Sequence, residues 1–137
     1  MRADVLVDAG PLVALLDRSG RHHASCVGAL RTIRGSLFSV WPAVTEAMCL
    51  LGFSVKAQGA LLKMIELGTL KILALETADV LRIRDLMVQY KDHPMDFADA
   101  ALVRVAEREK LRRILTIDRR DFAVYRPSRL GRFAIIP

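Results

Sequence analysis

Short runs of apolar residues alternate along this chain with longer segments in which apolar residues recur every three to four positions. The short runs predict β-strands and the longer segments predict amphipathic helices. The predicted strands lie at residues 3–7, 37–40, 70–75, 114–117 and 133–136. The predicted helices lie at residues 12–17, 21–34, 42–51, 54–67, 77–91 and 96–110.

Glycine and proline residues mark several boundaries of these elements. Gly10 and Pro11 turn the chain from the first strand into the first helix. Pro42 fits the first position of the third helix, where its missing amide costs nothing. Pro94 interrupts the chain between the last two long helices.

The alternation of strands and helices favours an α/β fold with helices on both faces of a parallel sheet. We therefore predict three α/β/α layers around a mostly parallel sheet of four to five strands. In such sheets, functional groups collect beyond the carboxyl ends of the strands, where the strand order reverses. Asp8 and Asp118 each follow a predicted strand, so both are expected at this edge.

The composition fits one globular domain spanning residues 1–137, with 53% hydrophobic and 26% charged residues. Apolar runs fall short of the ~20 residues that cross a membrane, and the N-terminus lacks the pattern of a signal peptide. Cys26 and Cys49 lie in apolar helical patterns and are interpreted as buried free thiols. These features favour a cytoplasmic protein.

The chain is basic, with a formal net charge of +6. Ten of the 21 Lys and Arg residues lie near the C-terminus, at positions 104, 108, 110, 112, 113, 119, 120, 126, 129 and 132. This distribution favours an anionic partner, either a nucleic acid or an acidic protein.

The carboxylates divide into two groups. Those with polar neighbours are interpreted as solvated helix faces: Glu66, Glu76, Asp79, Asp85, Glu107 and Glu109. Those in otherwise apolar runs are Asp8, Glu46, Asp96, Asp99 and Asp118. An unpaired buried carboxylate costs several kcal/mol, and these runs supply no Lys or Arg of their own. A cation shared among the acids would relieve that cost.

Aspartate and glutamate without cysteine or histidine suit a hard cation, Mg²⁺ or Mn²⁺ rather than zinc. One or two such ions, held by carboxylates beside a basic surface, are typical of sites that hydrolyse phosphodiester bonds. The second group of acids therefore indicates a metal-dependent nuclease.

Several residues near these acids have two interpretations. Asp96 fits the N-cap of its helix, accepting the amide of Asp99, or lies near the metal. Asp121 either caps the short segment that follows or binds metal through water. Arg119 and Arg120 either contact phosphates at the rim of the site or are merely solvated.

The aromatic and histidine residues give weaker signals. Trp41, directly before a proline, is interpreted as a core anchor rather than a base-stacking platform. His22, His23 and His93 are assigned surface or loop roles, because no Ser or Cys nucleophile motif accompanies them.

Four acidic blocks, in order, resemble those of PIN domains: VLVDAGPLVALLD, WPAVTEAMCLL, MDFADAALV and ILTIDRRDF. The resemblance extends from residue 5 to residue 136. The longer segments MDFADAALVRVAE and RILTIDRRDFAVYRP are most similar to bacterial VapC toxins, the ribonucleases of type II toxin–antitoxin pairs.

The resemblance implies a PIN-like sheet of about five parallel strands and RNA cleavage that leaves a 5′-phosphate. The four family acids correspond to Asp8, Glu46, Asp99 and Asp118, which would be catalytic and would hold Mg²⁺ or Mn²⁺. Thr116 matches a hydroxyl residue that often precedes the fourth acid and either bonds a carboxylate or is simply a strand residue.

The same resemblance implies partners: an antitoxin that places a side chain, often arginine, in the acidic pocket, and a second copy in a homodimer. One position departs from the pattern, because Ala9 stands where many relatives carry Thr or Ser. A supporting hydroxyl is therefore missing there, although no acid is lost.

Three alternatives remain open. A PIN nuclease could serve RNA processing or act on DNA, and a non-catalytic α/β binding module could use the same acids to cap helices and pair with basic residues. A phosphoryl-handling domain of the haloacid-dehalogenase or response-regulator kind fits poorly. It needs a second acid near Asp8, where this chain has Ala9, Gly10 and Pro11.

Overall fold

The computed structural model describes residues 3–93 and 95–137, and Pro94, the predicted interruption, lies outside the described residues. The strands are β1 (Val5–Val7), β2 (Leu37–Ser39), β3 (Leu70–Ile72), β4 (Arg113–Leu115) and β5 (Ala134–Ile136). The helices are α1 (Ala9–Leu16), α2 (His23–Thr32), α3 (Trp41–Leu50), α4 (Val55–Glu66), α5 (Val80–Gln89), α6 (Phe97–Glu109) and α7 (Arg119–Val124). A single turn of 3-10 helix, Thr77–Asp79, precedes α5.

The five strands form one sheet in the order β3-β2-β1-β4-β5, and every neighbouring pair is parallel. This confirms the predicted parallel sheet. The chain runs outward from β1 to β3 and then crosses to the other side of β1 for β4 and β5. The strand order therefore reverses beside β1, and the carboxyl ends of β1 and β4 flank the reversal.

Helices cover both faces of the sheet, as predicted. Because side chains alternate along a strand, Val5 and Val7 point to one face and Leu6 to the other. The first face packs against apolar residues of α1 to α4, including Leu12, Ala29, Val44, Ala47 and Leu61. The second packs against residues of α3, α5, α6 and α7, including Ala43, Leu86, Leu102, Val105 and Phe122.

The first turn of α1 lies very close to the segment that follows β4. A Cβ atom placed on Gly10 would meet the Cγ1 atom of Ile117 at 2.7 Å. A glycine at this position thus permits the close approach that brings the ends of β1 and β4 together.

The cysteine prediction is half right. Cys26 is a buried free thiol, but Cys49 is exposed because the buried residues of α3 lie on its other side. Within the two described ranges, no helix is long and apolar enough to cross a bilayer.

Candidate active site

Asp8 occupies the position directly after the central strand. It is the N-cap of α1, and its Oδ1 atom accepts a hydrogen bond of 2.8 Å from the Ala9 amide. Its Oδ2 atom accepts one of 2.9 Å from the Thr116 hydroxyl. Only 7% of Asp8 is exposed, so this carboxylate lies in the wall of the site with both oxygens oriented.

Thr116 connects the ends of the two central strands. Its buried hydroxyl donates to Asp8 and accepts a 2.9 Å hydrogen bond from the Asp118 amide. Of the two interpretations of Thr116, the structure therefore shows the one in which its hydroxyl bonds to a carboxylate. Thr116 thus gives Asp8 a hydroxyl partner, although position 9 is an alanine in this chain.

The N-terminus of α6 contributes the next two acids. Asp96 is its N-cap, and its Oδ1 atom accepts the Asp99 amide at 2.8 Å, as predicted. Asp99 is 9% exposed and its Oδ2 atom accepts a 2.9 Å hydrogen bond from the hydroxyl of Tyr125, which is fully buried. A buried phenol thus fixes the orientation of the Asp99 carboxylate.

Burial and mutual repulsion raise the pKa values of these acids. Burial raises the pKa of Asp8, and the carboxylates of Asp96 and Asp121 add to the rise. Burial, followed by the charges of Asp8 and Asp96, raises the pKa of Asp99 to about 8. Both groups therefore lie in a region that disfavours negative charge unless a cation is present.

The remaining acids lie at the mouth of the site. Glu46, Asp96 and Asp118 are exposed. The expectation that the acids of the apolar runs are buried is therefore wrong for these three. Partial burial raises the pKa of Glu46, and Asp96 and Asp8 add to it. Burial and the Asp121 carboxyl raise the pKa of Asp118 to about 6. The acids thus influence one another across α3, α6 and the two strand ends.

Asp121 does not cap α7. Asp118 occupies the N-cap position, and Asp121 lies in the first turn, where its Oδ1 atom is 2.6 Å from Nε2 of His93. The His93 ring makes an edge contact with Tyr125 at a centroid distance of 5.9 Å. The sequence pattern did not reveal His93 or Tyr125 as part of this site, because their partners lie 26 to 28 residues away.

Asp79 provides a contrast within the same molecule. It is 2% exposed, and its oxygens receive Nε of Arg104 at 2.7 Å and a guanidinium nitrogen of Arg108 at 2.6 Å. Burial alone would raise its pKa, yet the Glu76 amide and the two arginines hold the pKa below its usual value. The prediction of a solvated Asp79 is therefore wrong.

Glu107 was also assigned to a solvated face, and this is wrong as well. Its side chain is 6% exposed and pairs with Arg82 at 2.8 Å. In contrast, the hydrogen bonds that Asp8 and Asp99 receive from the described residues come from an amide, a hydroxyl and a phenol. Asp79 and Glu107 thus pair with arginine, whereas no arginine of the described residues bonds to Asp8 or Asp99.

The acids supply only oxygen donors to the site. Among residues 3–93 and 95–137, no three His, Cys, Asp or Glu side chains stand together at metal-binding geometry. The donor set itself, two buried carboxylates with exposed carboxylates at the rim, is the kind that hard divalent cations prefer. Arg119 and Arg120 are exposed in the first turn of α7, directly beside Asp118, and add positive charge to that rim.

We expect the free energy of unfolding of the metal-free protein to fall as the pH rises from about 4 to about 8. The pKa of Asp99, about 8, lies above the ordinary value of 3.8, so in this range the folded state holds a proton that the unfolded state has released. Such a group lowers stability by up to about 1.4 kcal/mol per pH unit.

Urea denaturation in EDTA at pH 5, 6.5 and 8 measures this slope. Asp99→Asn is the control and should make the profile flatter. Asp79, whose pKa is lowered, is already ionised in both states above pH 5 and does not contribute. A wild-type profile that rises over this range, or matches that of Asp99→Asn, would contradict the prediction.

Comparison with known proteins relates this site to a family. Residues 5–126 match the PIN domain. Ribonuclease VapC26 of Mycobacterium tuberculosis is 30% identical over 135 residues, which cover 97% of this chain and 100% of that protein.

Several solved structures share the fold. VapC20 of Mycobacterium tuberculosis, described as a Sarcin-Ricin loop cleaving toxin, superposes with a TM-score of 0.78 at 13% identity, covering 85% of this chain and 92% of that one. A toxin-antitoxin complex from Klebsiella pneumoniae gives 0.66 at 21% identity, covering 97% and 96%. VapBC2 from Rickettsia felis, bound to a DNA fragment from its promoter, gives 0.62 at 13% identity, covering 87% and 90%.

Proposed function

Because the chain belongs to the PIN domain family, we propose that it is a metal-dependent endoribonuclease and the toxin of a toxin–antitoxin pair. The observation that carries this proposal is the pair of buried carboxylates, Asp8 and Asp99, at the edge where the strand order reverses. Near-full-length similarity to Ribonuclease VapC26 supports RNA as the substrate and a toxin as the role. The proposed nuclease domain spans residues 1–137 and acts in the cytoplasm.

In this proposal Asp8, Glu46, Asp99 and Asp118 are the catalytic acids and hold Mg²⁺ or Mn²⁺. A divalent ion bound there supplies Lewis acidity for activating water and neutralises charge on the phosphate. Burial, together with neighbouring carboxylates, raises the pKa values of Asp8, Asp99 and Asp118, and a bound cation would offset both effects.

The supporting residues hold these acids in place. Hydrogen bonds from the Ala9 amide and the Thr116 hydroxyl orient the two oxygens of Asp8. A hydrogen bond from the buried Tyr125 hydroxyl orients the Asp99 carboxylate. Hydrogen-bonded partners of this kind orient metal ligands and maintain their basicity. Precise placement matters, because small displacements of catalytic groups cause large losses of rate.

The exposed residues at the rim make contact with the substrate. Arg119 and Arg120 contact phosphates of the RNA, since both are exposed beside Asp118. Asp96 and Asp121 would serve as accessory acids near a bound ion. His93 holds Asp121 in position through its 2.6 Å contact.

We also propose two protein partners. A cognate antitoxin is supported by the fold shared with the Klebsiella pneumoniae and Rickettsia felis complexes. A homodimer is supported by the exposed apolar face of α5, where Val80, Leu81 and Val88 are each more than half exposed. Contiguous apolar residues left exposed on a surface mark an interaction site.

The proposal predicts cleavage of RNA that depends on a divalent ion. Purified protein should cut single-stranded RNA in Mg²⁺ or Mn²⁺, leave 5′-phosphate ends, and stop in excess EDTA. Because an ion that binds only the folded state stabilises it, millimolar Mn²⁺ should also raise the melting temperature by several degrees. Calorimetry and sequencing of the cleaved ends provide the two measurements.

The alternatives give different results. A non-catalytic binding module would cut nothing, and its melting temperature would not respond to Mn²⁺. A DNA-directed PIN nuclease would cleave DNA of the same sequence faster than RNA. An RNA-processing enzyme would cut RNA, yet its expression without an antitoxin would not arrest growth.

A further inference from the structure

An open pocket lies between the N-terminal turns of α3 and α6. Its volume is about 530 Å³. The residues that line it are Trp41, Pro42, Thr45, Glu46, Asp96, Phe97 and Ala98. It is therefore walled by two aromatic rings and rimmed by two of the acids already described.

Both aromatic side chains face solvent. Trp41 is 53% exposed and Phe97 is 51% exposed, so the interpretation of Trp41 as a core anchor is wrong. Trp41 is the first residue of α3, and the residue that enters the core at this point is Val40, which is fully buried. Large aromatic residues left exposed around a concave surface mark a binding site.

The pocket adjoins the proposed catalytic acids. Glu46 and Asp96 line the pocket, and Oδ1 of Asp96 accepts a 2.8 Å hydrogen bond from the Asp99 amide. The pocket therefore lies directly beside the first turn of α6 that carries Asp99. A nucleotide whose phosphate lay at Asp99 would have a neighbouring base beside this pocket.

The chemistry of the lining selects a base rather than a phosphate. The lining residues include no Lys or Arg to bind a phosphate, whereas Trp41 and Phe97 offer flat surfaces to a neutral ring. The Thr45 hydroxyl can also accept a hydrogen bond from the amino group of a base. Proteins that bind single-stranded RNA stack its unpaired bases on aromatic side chains in this manner.

We propose that this pocket receives an unpaired base of the RNA substrate, stacked on Trp41 beside the phosphate that is cleaved. The proposal rests on the ribonuclease function proposed above and adds to it a site that recognises an unpaired base. A base within a duplex is already stacked on its neighbours and does not reach the pocket.

The fluorescence of Trp41 tests the proposal directly, because it is the sole tryptophan of the chain. In the Asp99→Asn variant with Mg²⁺, a short single-stranded oligoribonucleotide should quench this fluorescence upon binding. A duplex of the same sequence at equal concentration should quench it much less. Quenching by both alike, or by neither while the RNA binds, overturns the proposal.

Substitutions in the same Asp99→Asn background give a second measurement. Trp41→Ala should weaken the binding of dye-labelled single-stranded RNA about five- to a hundredfold, the range expected for one stacked base. Trp41→Phe should restore most of the affinity. The matched control is Phe53→Ala, which removes an aromatic ring that is 68% exposed just past the other end of α3.

The result separates this proposal from the function on which it rests. If Trp41→Ala binds and cleaves RNA like the wild-type protein, the base pocket is refuted and the ribonuclease stands. If the wild-type protein neither binds nor cuts RNA, both are refuted. If Trp41→Ala loses affinity only in proportion to a loss of dimer measured by sedimentation, the pocket is a protein interface and the proposal is wrong.

Discussion

Asp99→Asn is expected to abolish RNA cleavage while making the metal-free protein more stable. Losing a hydrogen-bonded partner of a metal ligand already costs ten- to a hundredfold in activity or metal affinity, so losing a proposed ligand should reduce the rate by roughly a thousandfold. Stability should rise because burial, Asp8 and Asp96 raise the pKa of this carboxyl to about 8. On folding, the carboxyl must therefore take up a proton or carry a buried charge, and asparagine does neither.

Single-turnover cleavage in Mn²⁺ and denaturation in EDTA measure the two effects. Asparagine keeps the shape of the side chain and an oxygen that accepts the Tyr125 hydrogen bond. Asp85→Asn, on an exposed part of α5, is the control and should change neither property. Full activity of Asp99→Asn would remove Asp99 from the catalytic set, and lower stability would show that its charge is compensated in the fold.

In contrast to Asp99→Asn, Asp79→Asn is expected to lower the stability of the protein and to leave RNA cleavage unchanged. It removes the negative charge that Arg104 and Arg108 share, and breaking a buried ion pair typically costs 3–5 kcal/mol. We expect a loss of about 3 kcal/mol in the free energy of unfolding, at the low end, because both arginine side chains remain 25% exposed and can be hydrated. Cleavage well below the melting temperature should be unchanged.

Urea denaturation at pH 7 provides the measurement. The comparison with Asp99→Asn is informative because Asp79 and Asp99 are both buried aspartates near the N-terminus of a helix. The two carboxylates differ in their partners, which are two arginines and a backbone amide for Asp79 and a phenol beside other acids for Asp99. If both substitutions shift stability in the same direction, the distinction between a compensated and an uncompensated acid is wrong.

Much of the fold could be predicted from local pattern. The strand at residues 3–7 was visible as a short apolar run, and the helix at 96–110 as a longer, mostly apolar segment that begins at an N-cap aspartate. Boundaries were less accurate: β3 ends at Ile72 rather than residue 75. The predicted helix at 77–91 begins as a 3-10 turn, because Asp79 folds back to accept the Glu76 amide.

The candidate site could be predicted only in part. Asp8 and Asp118 were expected at one edge because each follows a parallel strand, and Thr116 bonds to both of them. Pairing between distant residues left no local signal. The arginine partners of Asp79 lie 25 or more residues away, so its polar neighbours suggested solvent instead.

The exposure of Trp41 could not be predicted from the sequence for a different reason. An aromatic residue within an apolar run usually indicates the core, and hydrophobicity alone does not show which side of the first helical turn faces outward. The residue is exposed because Val40, one position earlier, fills the core at the start of α3.

The Thr116 hydroxyl, which joins two residues that are more than a hundred positions apart, has a consequence for synthesis on the ribosome. Its partner Asp8 is made early, but β4 must be translated, leave the exit tunnel and insert beside β1 before the hydroxyl can reach that carboxylate. A nascent chain halted before residue 113 therefore lacks the hydrogen bonds that Thr116 and Tyr125 make in the site, and it also lacks the carboxylate of Asp118. Until β4 has emerged and paired with β1, the growing polypeptide therefore lacks the assembled site.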